Sequence, residues 1–229
     1  MKKVSLVLVF GLVTALLLTS CSFGMTFGLP IGMSGSGNVV TETRQVSGFN
    51  GVVLAAVGKL TITQGDKEKL TITSDDNILP LIKTEVRAGK LVIEFENPST
   101  TISSLTEITY NLTVVNLNSL QISGAGDITA AGLKSESFTA SVSGAGNIEV
   151  SGEAVTQVVT VSGAGDYLAA DLKSQSVKVT ITGVGGATVW VQKDLDATIS
   201  GLGTVSYYGN PVVTKRITGA GSVDAKGDK

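Results

Sequence analysis

Between residues 120 and 225 apolar and polar side chains alternate in a pattern that returns about every nineteen residues. The pattern is anchored on pairs of glycines one residue apart. The first of each pair is Gly124, Gly144, Gly163, Gly183, Gly201 and Gly219, in steps of 20, 19, 20, 18 and 18. The second is Gly126, Gly146, Gly165, Gly185, Gly203 and Gly221. Two places before the first glycine stand Ile122, Val142, Val161, Ile181, Ile199 and Ile217, and three before it stand Gln121, Ser141, Thr160, Thr180, Thr198 and Arg216. Two places after the second stand Ile128, Ile148, Tyr167, Ala187, Val205 and Val223. A period-two alternation of this kind is a half-buried strand. No helical period recurs, and the residue pool is rich in Val, Ile and Thr. Each repeat therefore reads as strand, glycine corner, strand, second corner and a less regular return.

A fixed period through six copies is the signature of a solenoid. Identical positions then stack ~4.8 Å apart, as neighbouring strands do. The expectation is an all-β, parallel β-solenoid (β-helix) with rungs of ~19 residues, right-handed by the bias of parallel crossovers. The glycines are expected at φ > 0 in the corners, with the intervening alanine tucked under the turn. The hydroxyls of Ser123, Ser143, Ser162, Thr182, Ser200 and Thr218 are expected to stack and bond corner backbone.

Residues 38–119 lack the glycine pairs but still alternate, as in GVVLAAVGKLTITQG, KLVIEFEN and EITYNLTVV. They are expected to form degenerate rungs or an antiparallel sheet that covers one end, because an open terminal rung is an edge that can aggregate. Asp76–Ile82 is expected to hold one short helical turn ended by Pro80, and Gly35-Ser36-Gly37 is a candidate seventh corner.

Residues 1–20 are a different object. Lys2 and Lys3 precede an apolar run from Val4 to Leu18 that is too short to span a bilayer, which reads as a secretory signal peptide. Leu18-Thr19-Ser20-Cys21 resembles the lipobox of bacterial lipoproteins, which implies lipidation of Cys21 and a membrane partner through that anchor. Cys21 is the one cysteine, so no internal disulfide is possible. Residues 21–37, rich in glycine, read as a flexible tether. The domain plan is thus 1–20 leader, 21–37 tether, 38–119 N-terminal β region and 120–229 repeat solenoid.

The opening GSGNVVTETRQVSGFNGVVL (35–54), the segment DNILPLIKTEV (76–86), and the repeats SGAGDI and SGAGNI together resemble the head GIN domain of putative auto-transporter adhesins. The resemblance covers about residues 36–227. It implies a right-handed β-helix on an exported or lipid-anchored bacterial protein, and no catalytic residues.

Composition narrows the chemistry. Without residues 1–20 the chain keeps 15 basic and 19 acidic residues, a net −4, and shows no basic footprint for nucleic acid. There is no histidine, which removes the commonest general base and metal ligand. No glycine pair extends to a nucleotide-binding fingerprint, and no cofactor is implied. Asp127 and Asp166 share a column with Asn147 between them; they are weak calcium candidates, since calcium wants six to eight oxygens. The alternative is that these Asx side chains cap the corner. Asp171, Asp194, Asp196, Glu149 and Glu153 lie near corners without forming a recurring pair, so a glycan-cleaving enzyme is a secondary reading. Trp190 and Tyr208 share a column one rung apart and are expected to face outward, with Val189, Val191 and Tyr207 inward. They form the candidate contact surface for a glycan or protein ligand. The reading is an exported, lipid-anchored solenoid acting as an adhesin-like binding module. The alternatives are the enzyme or a structural subunit of an envelope assembly.

Overall fold

In the computed structural model the described residues are 32–103 and 106–229. The leader, Cys21 and the tether up to Ile31 lie outside them. The described residues form fifteen strands: β1 Val39–Arg44, β2 Gly51–Leu54, β3 Val57–Gln64, β4 Lys69–Asp75, β5 Ile82–Arg87, β6 Lys90–Phe95, β7 Thr109–Val114, β8 Ser119–Ile122, β9 Ala125–Val142, β10 Ile148–Val161, β11 Tyr167–Ile181, β12 Val184–Ile199, β13 Leu202–Tyr208, β14 Val212–Ile217 and β15 Ala220–Ala225. Together they make a parallel β-solenoid of about 5 turns.

Two strand faces run the length of the molecule. One carries, in order, β1, β4, β7, β3, β9, β10, β11, β12, β13 and β15. On the other, β5, β6, β2 and β8 lead into the far halves of β9 to β12 and end at β14. The long strands β9 to β12 bend and serve both faces. The parallel register stacks like on like: Tyr110, Leu60, Ile128, Ile148, Tyr167, Ala187, Val205 and Val223 form one inward column. Ile93, Leu54, Ile122, Val142, Val161, Ile181 and Ile199 form another. One hydrophobic core contains residues of both, so the N-terminal region and the repeats share an interior.

The N-terminal region is at once degenerate rungs and antiparallel cover. β2 and β3 form a true rung, inserted between β6/β7 on one side and β8/β9 on the other. Its corner, Ala55-Ala56-Val57-Gly58, registers on Ser123-Gly124-Ala125-Gly126, as Val57 meets Ala125 and Gly58 meets Gly126. Beyond β7 and β6 the pairing turns antiparallel, through β4 and β1 on one face and β5 on the other. The link from β4 to β5 crosses between the faces and buries Ile78, Leu79 and Ile82 against the core. It contains one 3-10 turn, Leu79–Leu81, in which Pro80 lies at the start rather than the stop. A first-turn N–H has no partner inside the turn, so its absence costs nothing there.

Gly35-Ser36-Gly37 is not a seventh corner. Gly35 N–H donates to Thr106 Oγ1 (2.8 Å), Ser36 N–H to Asn77 Oδ1 (3.0 Å) and Gly37 N–H to Asp75 Oδ1 (2.7 Å). Asp76 accepts from Ser36 Oγ (2.6 Å) and Asn38 Nδ2 (2.8 Å). The segment is a latch over the covered end. At the opposite end β14 and β15 close the array with half-buried Val213 and Val223 and an exposed Val212.

The glycine pairs meet the expectation of positive φ only in part. The first glycine of each pair does not have positive φ. A Cβ on Gly144 would lie 2.0 Å from the carbonyl oxygen of Gly124, and one on Gly163 would lie 2.0 Å from that of Gly144. The corners stack so closely that no side chain fits between rungs. Among the second glycines, Gly146, Gly165 and Gly185 also have φ between +135° and +152°. The residue between the glycines points outward rather than under the turn, as the exposure of Val184 and Leu202 shows. The hydroxyl column also faces solvent, and Ser143 Oγ donates to the Ile122 carbonyl (3.0 Å).

A candidate surface binding site

Trp190 and Tyr208 are register partners on β12 and β13. They lie on the outer surface, half-buried, between the inward Val189 and Val191 and beside the half-buried Tyr207, which packs on the core. Alternation along a pleated strand imposes this arrangement. The neighbours of Trp190 differ from those that column counting gives. Counting places Ala170 below it, but the register jumps from Ala169–Val189 to Lys173–Trp190. Residues 170–172 are extra relative to the next rung, and bulges of this kind re-aim nearby side chains. The true outer stripe is Lys134, Glu153, Lys173, Trp190 and Tyr208. The sequence signal for it is the change of step from 20 residues between Gly163 and Gly183 to 18 between Gly183 and Gly201.

Two ammonium groups meet the aromatic pair. Lys173 Nζ stands 5.7 Å from the centre of the Trp190 ring. Lys229 Nζ stands 5.7 Å from Trp190 and 5.2 Å from Tyr208. These distances suit attraction between a cation and the negative face of a ring. Lys229 also donates to the Ala170 carbonyl (2.7 Å) and pairs with the Asp171 carboxylate. An open groove beside the rings is lined by Gln192, Gly209, Asn210 and Asp228, among others.

The other candidates disperse. Asp127, Asn147 and Asp166 do form one column, but each side chain accepts the backbone N–H of the next rung. Asp127 Oδ1 takes Asn147 N–H (2.9 Å), Asn147 Oδ1 takes Asp166 N–H (3.0 Å), and Asp166 Oδ1 takes Gly186 N–H. This ladder fastens the corners through one side-chain oxygen per rung. Among the described residues no three His, Cys, Asp or Glu side chains are grouped to hold a metal. Asp194 accepts from Ser176 Oγ and Asp196 faces Lys178 at 3.9 Å, on the outer surface.

One polar group escaped sequence reasoning because it sits in the core. Gln157 lies in an inward column with Phe138, Val177 and Leu195. Its Oε1 accepts from Tyr167 Oη (2.7 Å), and its Nε2 donates to Ser174 Oγ and the Leu172 carbonyl. All three side chains are buried and mutually satisfied. Burial pushes the Tyr167 phenol well above its ordinary value. A buried polar cluster whose groups satisfy one another specifies the packing around it.

Residues 48–211 match the family model described as putative auto-transporter adhesin, head GIN domain. The chain belongs to that family. Among solved structures, a putative adhesin from Bacteroides fragilis is 23% identical, with a TM-score of 0.71 over 85% of this chain and 100% of that one. A putative adhesin from Parabacteroides merdae is 19% identical, with a TM-score of 0.52 over 85% and 98%. A putative lipid binding protein from Parabacteroides distasonis is 22% identical, with a TM-score of 0.51 over 84% and 98%. At these identities the likeness is one of fold. No curated protein matches the chain. Within the head GIN domain matched here, Trp190 and Tyr208 fall near the end of the matched range, on the side of the solenoid away from the cover.

Proposed function

We propose that this head GIN protein is exported, anchored through a lipid on Cys21, and displays its solenoid as an adhesin-like binding module outside the cytoplasmic membrane. The observation that carries the binding half is the outward Trp190–Tyr208 pair on adjacent rungs, flanked by Lys173. Amphipathic rings held by a stiff sheet give contact area at low entropic cost. The names of the family and of its structural neighbours support the same reading, as does the lipobox-like Leu18-Thr19-Ser20-Cys21.

The test is a glycan and matrix-protein binding screen with soluble residues 34–229. Replacing Trp190 and Tyr208 together with Ser should abolish the binding found and move Tm by only a few degrees, as expected for surface substitutions. Binding that survives the double replacement refutes the assigned site. The anchor has its own test. Cys21→Ala should release the protein from membranes or leave an uncleaved precursor, since each buried CH₂ of an acyl chain contributes ~0.8 kcal/mol. A mature-sized variant still in the membrane fraction refutes the anchor.

A second reading has one observation behind it. Among the described residues β14 and β15 end the two faces with unpaired edges, and Val184, Leu202 and Val212 are exposed. Such a rung can add a strand from another chain, which would make the protein a subunit of an envelope assembly. Concentration-dependent association of residues 34–229 would favour it.

A further inference from the structure

The surroundings of the Lys229 ammonium amount to a built site. An alkylammonium has three N–H donors and no acceptor. Here it finds two acceptors, the Ala170 carbonyl and the Asp171 carboxylate, and two aromatic faces, Trp190 and Tyr208. Both acceptors come from the 170–172 segment that has no counterpart on the next rung. The irregular part of the solenoid thus supplies the polar half of the cage, and the regular part supplies the rings. Lys229 is delivered by a short extension of the ladder, with Lys226 N–H bound to Tyr207 O (2.8 Å) and Gly209 N–H to Gly227 O (3.0 Å). Beside the cage a cavity of about 290 Å³ is lined by Gln192, Asn210 and Asp228. Asp171 and Asp228 offset the charge of Lys173, so an acidic ligand meets two carboxylates and a cationic one is accommodated.

We propose that the Trp190–Tyr208–Asp171 cage binds protonated primary amines, in the form of lysine side chains on a partner protein, and that Lys229 is an internal occupant that competes for it. The proposal rests on the contact-surface reading above and names the ligand chemistry of that surface. Lysine is favoured over other amines because a lysine is what the cage holds.

Trp190 is the sole tryptophan, so its fluorescence reports this site alone. The full chain, purified in detergent micelles, is titrated with a short peptide carrying one central lysine and with its Nε-acetylated twin. A tethered competitor acts at an effective concentration in the millimolar range or above, so Lys229→Met should bind the lysine peptide about tenfold tighter than wild type. The acetylated twin should not bind. Adding Asp171→Asn to Lys229→Met should cost most of the gain, and Asp171 is exposed enough that folding is not at stake. Equal affinity of Lys229→Met and wild type overturns the proposal, as does equal binding of the twin or a preference for vesicles rich in phosphatidylethanolamine. If Lys229→Met is silent while the Trp190/Tyr208 double replacement still abolishes binding of a ligand from the screen, the cage is refuted and the contact surface stands.

Discussion

The corner at Gly124 and the corner at Ala56 sit on adjacent rungs of the same solenoid, yet only one of them is written in glycine pairs. The difference lies in what is stacked beneath. Under Gly144 lies another identical corner, and its carbonyl oxygen occupies the place of a Cβ. Under Ala56 lies β6, which runs straight on to Phe95 instead of turning. With no corner below, position 56 tolerates a methyl group, which is buried. Gly58 remains glycine for local reasons: its φ is +125°, and a Cβ would meet the Ile108 carbonyl oxygen at 2.4 Å. Sequence repetition here is thus a consequence of having an identical neighbour. Where the neighbour changes, the repeat disappears from the sequence although the rung persists.

The sharpest test is a set of three substitutions. Gly163→Val should destabilise by about 3 kcal/mol or more, because three extra carbons must fit where the Gly144 carbonyl already stands. Gly58→Val should cost as much, for the same reason at a different partner. Gly132→Ala is the control: φ is +72°, but nothing lies within 4 Å of the added carbon, so only the backbone term of about 1 kcal/mol applies. Urea unfolding measures all three. A Gly163→Val loss no larger than that of Gly132→Ala would refute stacking as the origin of the glycine column.

The same contrast explains what the sequence could reveal. The inward columns at 122, 142, 161, 181 and 199 were legible because period-two alternation and stacking agree there. The β2/β3 rung was legible only as one of two options, a degenerate rung or an antiparallel cover, since VLAAVGKLTI carries one glycine in place of two. Its insertion between β6/β7 and β8/β9 is a long-range pairing that no local pattern encodes. Column counting misassigns the neighbours of Trp190, because residues 170–172 shift the register, and the change of repeat length from 20 to 18 marks that a shift occurs without saying where. Gln157 was invisible as a core residue: a lone polar side chain in the irregular return reads as surface, and only the opposing Tyr167 and Ser174 make it soluble in the interior.

The two buried tyrosines extend the comparison at a smaller scale. Tyr167, in the repeats, donates to Gln157 Oε1, which is itself buried. Tyr110, in the N-terminal region, donates to the Val57 carbonyl at 3.1 Å. Tyr167→Phe strands a buried amide oxygen and should cost about 1–3 kcal/mol; Tyr110→Phe should fall nearer to about 1 kcal/mol. Burial holds both phenols above their ordinary value of about 10. Their stabilisation is complete below that value and is lost as pH rises beyond it, because the unfolded chain ionises first. The alkaline limb of a stability–pH curve should flatten when both are replaced by Phe; an unchanged limb would contradict the burial.

The smallest effect belongs to the covered end, where the latch is held by exposed groups. Asp76 accepts from Ser36 Oγ and Asn38 Nδ2, and these bonds, that of Ser36 first, hold its carboxyl below the ordinary aspartate value of about 3.9. A lowered folded value means that the contribution is present above that ordinary value and fades as pH falls through the lowered one. The latch should therefore stay closed from pH 8 down to about pH 4 and loosen only in stronger acid. Its loss should not propagate, since the core beneath is sealed independently by Ile78, Leu79 and Ile82. Asp76→Asn should accordingly leave the global unfolding midpoint nearly unchanged while speeding hydrogen exchange at Ser36, Gly37 and Asn38. An NMR titration of the Asn38 side-chain amide checks the sign: its midpoint should fall below that of an unpaired aspartate. A midpoint at or above the ordinary value would mean that the latch is not held by the Asp76 charge, and that the N–H bonds of Gly35, Ser36 and Gly37 to Thr106, Asn77 and Asp75 carry it.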